Sequence, residues 1–220
     1  MRKIIFTLMA LSCAYALNAQ SYTETFDSNS LGWTECTFKK AAGTAVINEG
    51  VMTITSKGEK EALSALLTVA SGQASQAGVT TFFETHCYAP IDVLKPFKIK
   101  SMITSKRLTG DRETGLVFNY KDGGNFYCIA MTDEYVQFER WANNCMVGQI
   151  SQNVKWDRGG KKSEQTSNEW MLESDGDVVT FSVDGVPMLQ IRHMPLEYSG
   201  FGYYSIGDNT TIVDSVEFIQ

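Results

Sequence analysis

Over its last fifty residues the chain alternates apolar and polar side chains with a period of two. Trp170 to Glu173 and Val178 to Val183 are separated by Ser174-Asp175-Gly176-Asp177. Asp184-Gly185 makes the next turn, and a Gly-rich run from Gly200 to Tyr204 and a last run from Thr211 to Ile219 follow. Apolar residues at every second position between Asp-Gly turns are the pattern of short antiparallel strands, each with one face in a core. The same pattern predicts strands upstream, at Tyr22 to Phe26, Val79 to Tyr88, Phe97 to Thr104 and Gly115 to Tyr120. It also predicts two hairpins. One joins Thr44 to Ile47 with Val51 to Thr55 across Asn48-Glu49-Gly50; the other joins Phe126 to Met131 with Tyr135 to Trp141 across Thr132-Asp133-Glu134.

Three stretches break the rhythm. Glu59 to Leu67 has helical propensity, with Leu63, Leu66 and Leu67 apolar, and predicts a short surface helix. Ser71 to Gly78 reads as a loop. Asn143 to Asn168 is polar and irregular apart from a short strand near Ile150. About ten to twelve strands with almost no helix must close as two packed sheets or as a barrel.

Residues 1–19 stand apart from this pattern. Arg2 and Lys3 precede an apolar run from Ile4 to Leu17, and Leu17-Asn18-Ala19 offers small-residue cleavage before Gln20. The reading is a secretory signal over 1–19, too short for a membrane span, followed by one domain over 20–220 and export to the periplasm, outer surface or medium. Beyond the leader the chain carries seventeen basic against twenty-five acidic side chains. An acidic chain without basic clusters argues against nucleic acid and anionic membrane as partners. Cys36, Cys87, Cys128 and Cys145 permit two disulfides or buried free thiols, and no C-x-x-C spacing suggests metal ligation by sulfur.

The order of these pieces resembles a known architecture. Phe26-Asp27-Ser28-Asn29-Ser30-Leu31-Gly32-Trp33 opens the chain, and Asn48-Glu49-Gly50-Val51, Thr114-Gly115-Leu116-Val117-Phe118 and Asn125-Phe126-Tyr127 follow. Asn168-Glu169-Trp170, Val183-Asp184-Gly185-Val186 and Val213-Asp214-Ser215-Val216 close it. Taken together they resemble the concanavalin A-like lectin/glucanase superfamily, near its laminin G-like and 3-keto-disaccharide hydrolase-like branches. The resemblance implies an all-β, two-sheet antiparallel jelly-roll sandwich, with carbohydrate handled on its concave sheet. It also implies a structural calcium where first and last strands meet, on Asp214, the Gly50 carbonyl and Asp27.

The glucanase signature of that superfamily, Glu-x-Asp-x-x-Glu on one strand, is absent; Asp133-Glu134 with Glu139 is the nearest approximation. The keto-sugar branch's Asn-Ser-Gly is replaced by Glu113-Thr114-Gly115. Both departures favour a non-catalytic role. His86, on an apolar strand, reads as a hydrogen-bonded structural residue. The hairpin offers the binding face. If Met131 faces Tyr135, one side carries Tyr127, Ile129, Met131, Tyr135, Gln137, Glu139 and Trp141. The other carries Phe126, Cys128, Ala130, Val136 and Phe138, with Arg140 at its end. The first set mixes flat aromatics with hydrogen-bonding groups, the combination suited to sugar rings, so Tyr127, Glu139 and Trp141 are the candidate ligand-binding residues. The function expected is exported, non-catalytic carbohydrate binding in support of glycan processing. The alternatives are a glycoside or keto-sugar hydrolase using carboxylates such as Glu84 or Glu139, and a protein-interaction module of laminin G-like type. Phe118, Phe138, Phe181, Val183, Val216 and Phe218 are expected between the sheets.

Overall fold

The computed structural model describes residues 21–37, 43–57, 83–106, 108, 112–154 and 165–220. The helix predicted at Glu59 to Leu67, the loop at Ser71 to Gly78 and the leader lie outside the described residues. Fourteen strands are described: β1 (Ser21–Glu24), β2 (Gly43–Asn48), β3 (Val51–Ser56), β4 (Phe83–Tyr88), β5 (Phe97–Ser105), β6 (Glu113–Asp122) and β7 (Asn125–Met131), followed by β8 (Tyr135–Ala142), β9 (Cys145–Asn153), β10 (Thr166–Ser174), β11 (Val178–Val183), β12 (Val186–Arg192), β13 (Gly200–Ile206) and β14 (Asn209–Ile219). Among the described residues no helix is long and apolar enough to cross a membrane.

The strands form two antiparallel sheets. One has eight strands in the order β12-β11-β10-β5-β14-β3-β2, with β1 also paired to β14; the other has six, in the order β4-β13-β6-β7-β8-β9. First and last strands are neighbours, with Ser21 opposite Ile219. Alternation in β5 shows why the sheets pack. Phe97, Ile99, Ser101, Ile103 and Ser105 are buried, and Lys98, Lys100, Met102 and Thr104 between them point away. The inter-sheet core is built from such faces, and it contains Phe118, Phe138, Phe181, Val183, Val216 and Phe218 as the sequence predicts. Trp170 is 1% exposed, edge-on to Phe181 at 5.3 Å. Three polar pairs also cross the core: Ser56 with Ser205, Thr114 with Thr211, and Ser101 with Tyr203. Each satisfies hydroxyls that burial would otherwise leave unpaired.

Two bulges change which way side chains face. In β6 the register shifts beyond Phe118, and Asn119 takes a φ of 48°. Its Oδ1 accepts from the backbone N–H groups of Glu197 and Tyr198. Phe118 therefore enters the inter-sheet core, whereas Tyr120, two residues on, joins a second apolar cluster on the opposite face. In β14 the shift falls at Asp214: Thr211 and Val213 are buried before it, Val216 and Phe218 after it.

Several expectations are corrected. The irregular segment after Asn143 begins with a nine-residue strand, β9, and β12 follows the Asp184-Gly185 turn. Strand β9 is exposed along nearly its whole length at a sheet edge, so it carries little of the apolar alternation that would reveal it. Cys36, Cys87, Cys128 and Cys145 are all free thiols. Cys87 and Cys128 belong to opposite faces of the six-stranded sheet, which keeps them apart.

Candidate functional site

The outer face of the six-stranded sheet is assembled by register. Glu84, Tyr204, Gly115, Ala130 and Gln137 form one row across β4, β13, β6, β7 and β8. His86, Gly202, Val117, Cys128 and Glu139 form the next. Small residues occupy the middle of both rows, and large or acidic ones their ends. Gly115 is required by Tyr204: any Cβ there would overlap the tyrosine ring. A cavity of about 610 Å³ lies on this face, lined among others by Glu84, Glu113, Phe126, Glu139, Trp141 and Tyr204.

Three glutamates converge on it from three strands. Glu113 accepts hydrogen bonds from the hydroxyls of Tyr135 at 2.9 Å and Tyr204 at 3.0 Å. Burial nevertheless holds its pKa above the ordinary carboxylate range, with the charge of Glu139 adding to the shift. Glu84 is also raised by burial, against the opposing hydrogen bond from Tyr120 at 3.2 Å. Glu139 is held differently, accepting from Gln137 Nε2 at 2.6 Å and Trp141 Nε1 at 2.7 Å. The same surroundings act on the phenols: burial and the nearby Glu113 push Tyr135 up to about 12, and burial puts Tyr204 well above its usual value.

Aromatic rings run across the strands beside these acids. His86 packs on Tyr120 at 4.1 Å, Tyr120 on Phe126 at 6.2 Å, and Phe126 on Trp141 at 5.8 Å with planes 13° apart. One face of Trp141 is thus covered by Phe126, and its indole N–H is fixed by Glu139. Trp141 is half-buried and lines the cavity. His86 is not the hydrogen-bonded residue predicted: its Nδ1 is buried without a partner and burial lowers its pKa.

Of the three predicted ligand-binding residues, Glu139 and Trp141 share this face and Tyr127 does not. Met131 pairs with Val136 rather than Tyr135. The loop is one residue longer because the Thr132 hydroxyl accepts from the N–H groups of both Glu134 and Tyr135. That slip puts Tyr127, Ile129 and Met131 with Val136 and Phe138 in the inter-sheet core, and Phe126 and Cys128 on the groove face. Tyr127 is 5% exposed, and its hydroxyl donates to the Pro195 carbonyl. Sequence reasoning missed Glu113, Tyr204 and Phe126. The Thr-Asp start of the hairpin turn was the signal that could have found Phe126.

No protein-family model and no curated protein matches this sequence. Solved structures do. The Emp47p carbohydrate recognition domain superposes with a TM-score of 0.58 at 10% identity, over 91% of this chain and 94% of that one. A Bacillus licheniformis beta-glucanase gives 0.55 at 11%, over 93% and 100%. A Bacteroides ovatus mixed linkage glucan GH16, in complex with product, gives 0.57 at 10%, over 90% and 99%. The fold is that of the concanavalin A-like lectins and glucanases.

Within this concanavalin A-like frame, the carboxylates facing the groove come from three strands and not from one. Of the residues named for calcium, Gly50 and Asp27 are neighbours, and Asp214 lies at the β14 bulge. β1 pairs with β14 up to Glu24 opposite Val216, and β3 from Met52 opposite Val213, so the bulged Asp214 falls in the gap between them. Gly50 and Thr25 end the strands that flank this gap, and a Cβ on Gly50 would lie 3.5 Å from Asp27 Oδ1. Asp27 Oδ2 accepts from Thr25 Oγ1 at 2.8 Å. Carboxylates and carbonyls are the hard oxygen donors that calcium takes, so these residue types suit that ion in kind. Among the described residues no group of three or more His, Cys, Asp or Glu side chains is placed to hold a metal.

Proposed function

We propose that this chain is an exported, non-catalytic carbohydrate-binding protein that takes an oligo- or polysaccharide on the outer face of its six-stranded sheet. One observation carries the reading: the 610 Å³ cavity combines the aromatic side chains of Phe126, Trp141 and Tyr204 with the carboxylates of Glu84, Glu113 and Glu139. Sugar rings need both, because their C–H faces pack on aromatic planes while their hydroxyls need polar partners. Each glutamate keeps lone pairs beyond those used within the protein, so each can accept from a hydroxyl. Similarity in fold to a carbohydrate recognition domain and to a beta-glucanase supports the carbohydrate reading. The apolar leader supports export to the cell envelope, where such a protein would assist glycan processing. Calcium, held by Asp214, Asp27 and the Gly50 carbonyl, would tie the first and last strands together and act on stability.

A hydrolase is the second reading, and one observation favours it. Glu113 and Glu139 line the same cavity, and burial raises the Glu113 carboxyl in the direction a general acid needs. The absence of a one-strand carboxylate motif weighs against it. Incubation with a panel of neutral oligosaccharides, read by affinity electrophoresis and by assay of new reducing ends, separates the readings. Retardation without cleavage is the expected result. Cleavage abolished in Glu113→Gln would establish the hydrolase, and neither retardation nor cleavage would leave a protein-interaction module.

A further inference from the structure

The groove is lopsided in charge. Glu84, Glu113 and Glu139 all line it, and among the described residues no Lys or Arg does. Arg140, the nearest cation in sequence to the groove residues of β8, points to the other side, over the Tyr127 ring. The acids are spread over β4, β6 and β8, and between them lie the Tyr204 ring and the small floor of Ala130 and Cys128. Carboxylates beside aromatic planes form a receptor for an ammonium group: the ring faces attract the cation and the carboxylates accept its N–H donors.

We infer that the groove selects a glycan bearing a free, positively charged amine, an amino sugar whose nitrogen is not acylated, with the ammonium seated against Glu113 and Glu139. This rests on the carbohydrate-binding reading and narrows its ligand class. A neutral sugar would leave the repulsion between Glu113 and Glu139 in place. An anionic sugar would add to it. An ammonium relieves it, and the aromatic side of the groove takes the sugar ring that carries the amine.

Within the protein, the acids of the groove have no Lys or Arg beside them among its described lining residues. Burial and Glu139 favour a proton on Glu113, and the groups facing that carboxyl from the packed strands are Tyr135 and Glu139 on β8, Tyr204 on β13 and Cys128 on β7. None supplies a positive charge. At the other end Glu84 faces Tyr120 and His86, and burial keeps that imidazole toward its neutral form. Where Glu113 still carries its proton, an entering ammonium favours the anion and the proton leaves to solvent. Affinity for the amine therefore rises as pH rises through the raised carboxyl pKa, and falls again where the amine loses its own proton.

The test compares three soluble tetrasaccharides with the same linkage, made of glucosamine, N-acetylglucosamine and glucose, by titration calorimetry on the full chain at about pH 6, where an amine is charged. The expected result is tighter binding of the glucosamine tetramer by about tenfold or more, the range of a charge-assisted hydrogen bond. Proton exchange, read in buffers of different ionisation heat at a series of pH values, should show a release for the glucosamine tetramer and none for the neutral tetramers on the acid side of the Glu113 titration. The amine-to-neutral ratio should collapse in Glu113→Gln, and independently in Glu139→Gln should one variant misfold by thermal melt. Equal binding of all three tetramers overturns the inference and leaves carbohydrate binding standing. Amine preference unchanged in both variants overturns it as diffuse attraction to an acidic protein. Binding of an oligolysine peptide without any tetramer overturns both the inference and the reading beneath it.

Discussion

Glu113 lies between two tyrosine hydroxyls that favour its anion and a burial that disfavours it more. The sign of its effect on stability follows. A carboxyl whose folded pKa is raised contributes fully below the unfolded value, about 4.3, and the contribution is lost as pH rises through the folded value. Glu113→Gln, neutral throughout, should match wild type in melting temperature near pH 4 and exceed it near pH 7. Melts at the two pH values check this, and a variant less stable than wild type only at the higher pH would contradict it. The tryptophans make a sharper pair. Trp170 is wholly inside the inter-sheet core, and Trp170→Ala should cost about 3–5 kcal/mol in denaturant unfolding with no specific effect on ligand. Trp141 is half-buried, stacks on Phe126 and lines the cavity. Trp141→Ala should cost about 1–3 kcal/mol of stability and remove most saccharide affinity.

At the scale of elements, the bulges decide what the alternation alone leaves open. Period-two patterning was enough to place the two hairpins and the six named core residues, because burial on one face leaves a strong trace in a strand. It was not enough to aim β7. A four-residue turn closed by Thr132 moves the register by one, and that single step sends Tyr127 inward and Phe126 outward. The bulge at Asn119 has the same consequence for Tyr120, and nothing in the apolar pattern marks it. Glu113 escaped notice because its role depends on Tyr204, ninety-one residues away in sequence. The Asp214 bulge carries a prediction of its own. With calcium at about a hundredfold excess over Kd, linkage adds roughly 2.7 kcal/mol to stability, so wild type should melt higher with calcium than with chelator. Asp214→Ala should lose that difference, and a calcium response equal to wild type in the variant would dismiss the site.

At the scale of the molecule, the six-stranded sheet divides its labour between two faces. Its inner face packs on the eight-stranded sheet through Phe118, Ile129, Phe138, Phe201 and Tyr203. Its outer face is free to carry acids and part-exposed aromatics because the inner one secures the fold. The central claim is that saccharide docks on that outer face. Amide chemical-shift mapping of the full chain, titrated with the glucosamine tetramer, tests it most directly. The account predicts perturbations concentrated in β4, β13, β6, β7 and β8 around Glu84, Glu113, Glu139 and Trp141, with the outer strands of the eight-stranded sheet silent. Perturbations confined to the eight-stranded sheet, or none at saturating saccharide, would contradict it.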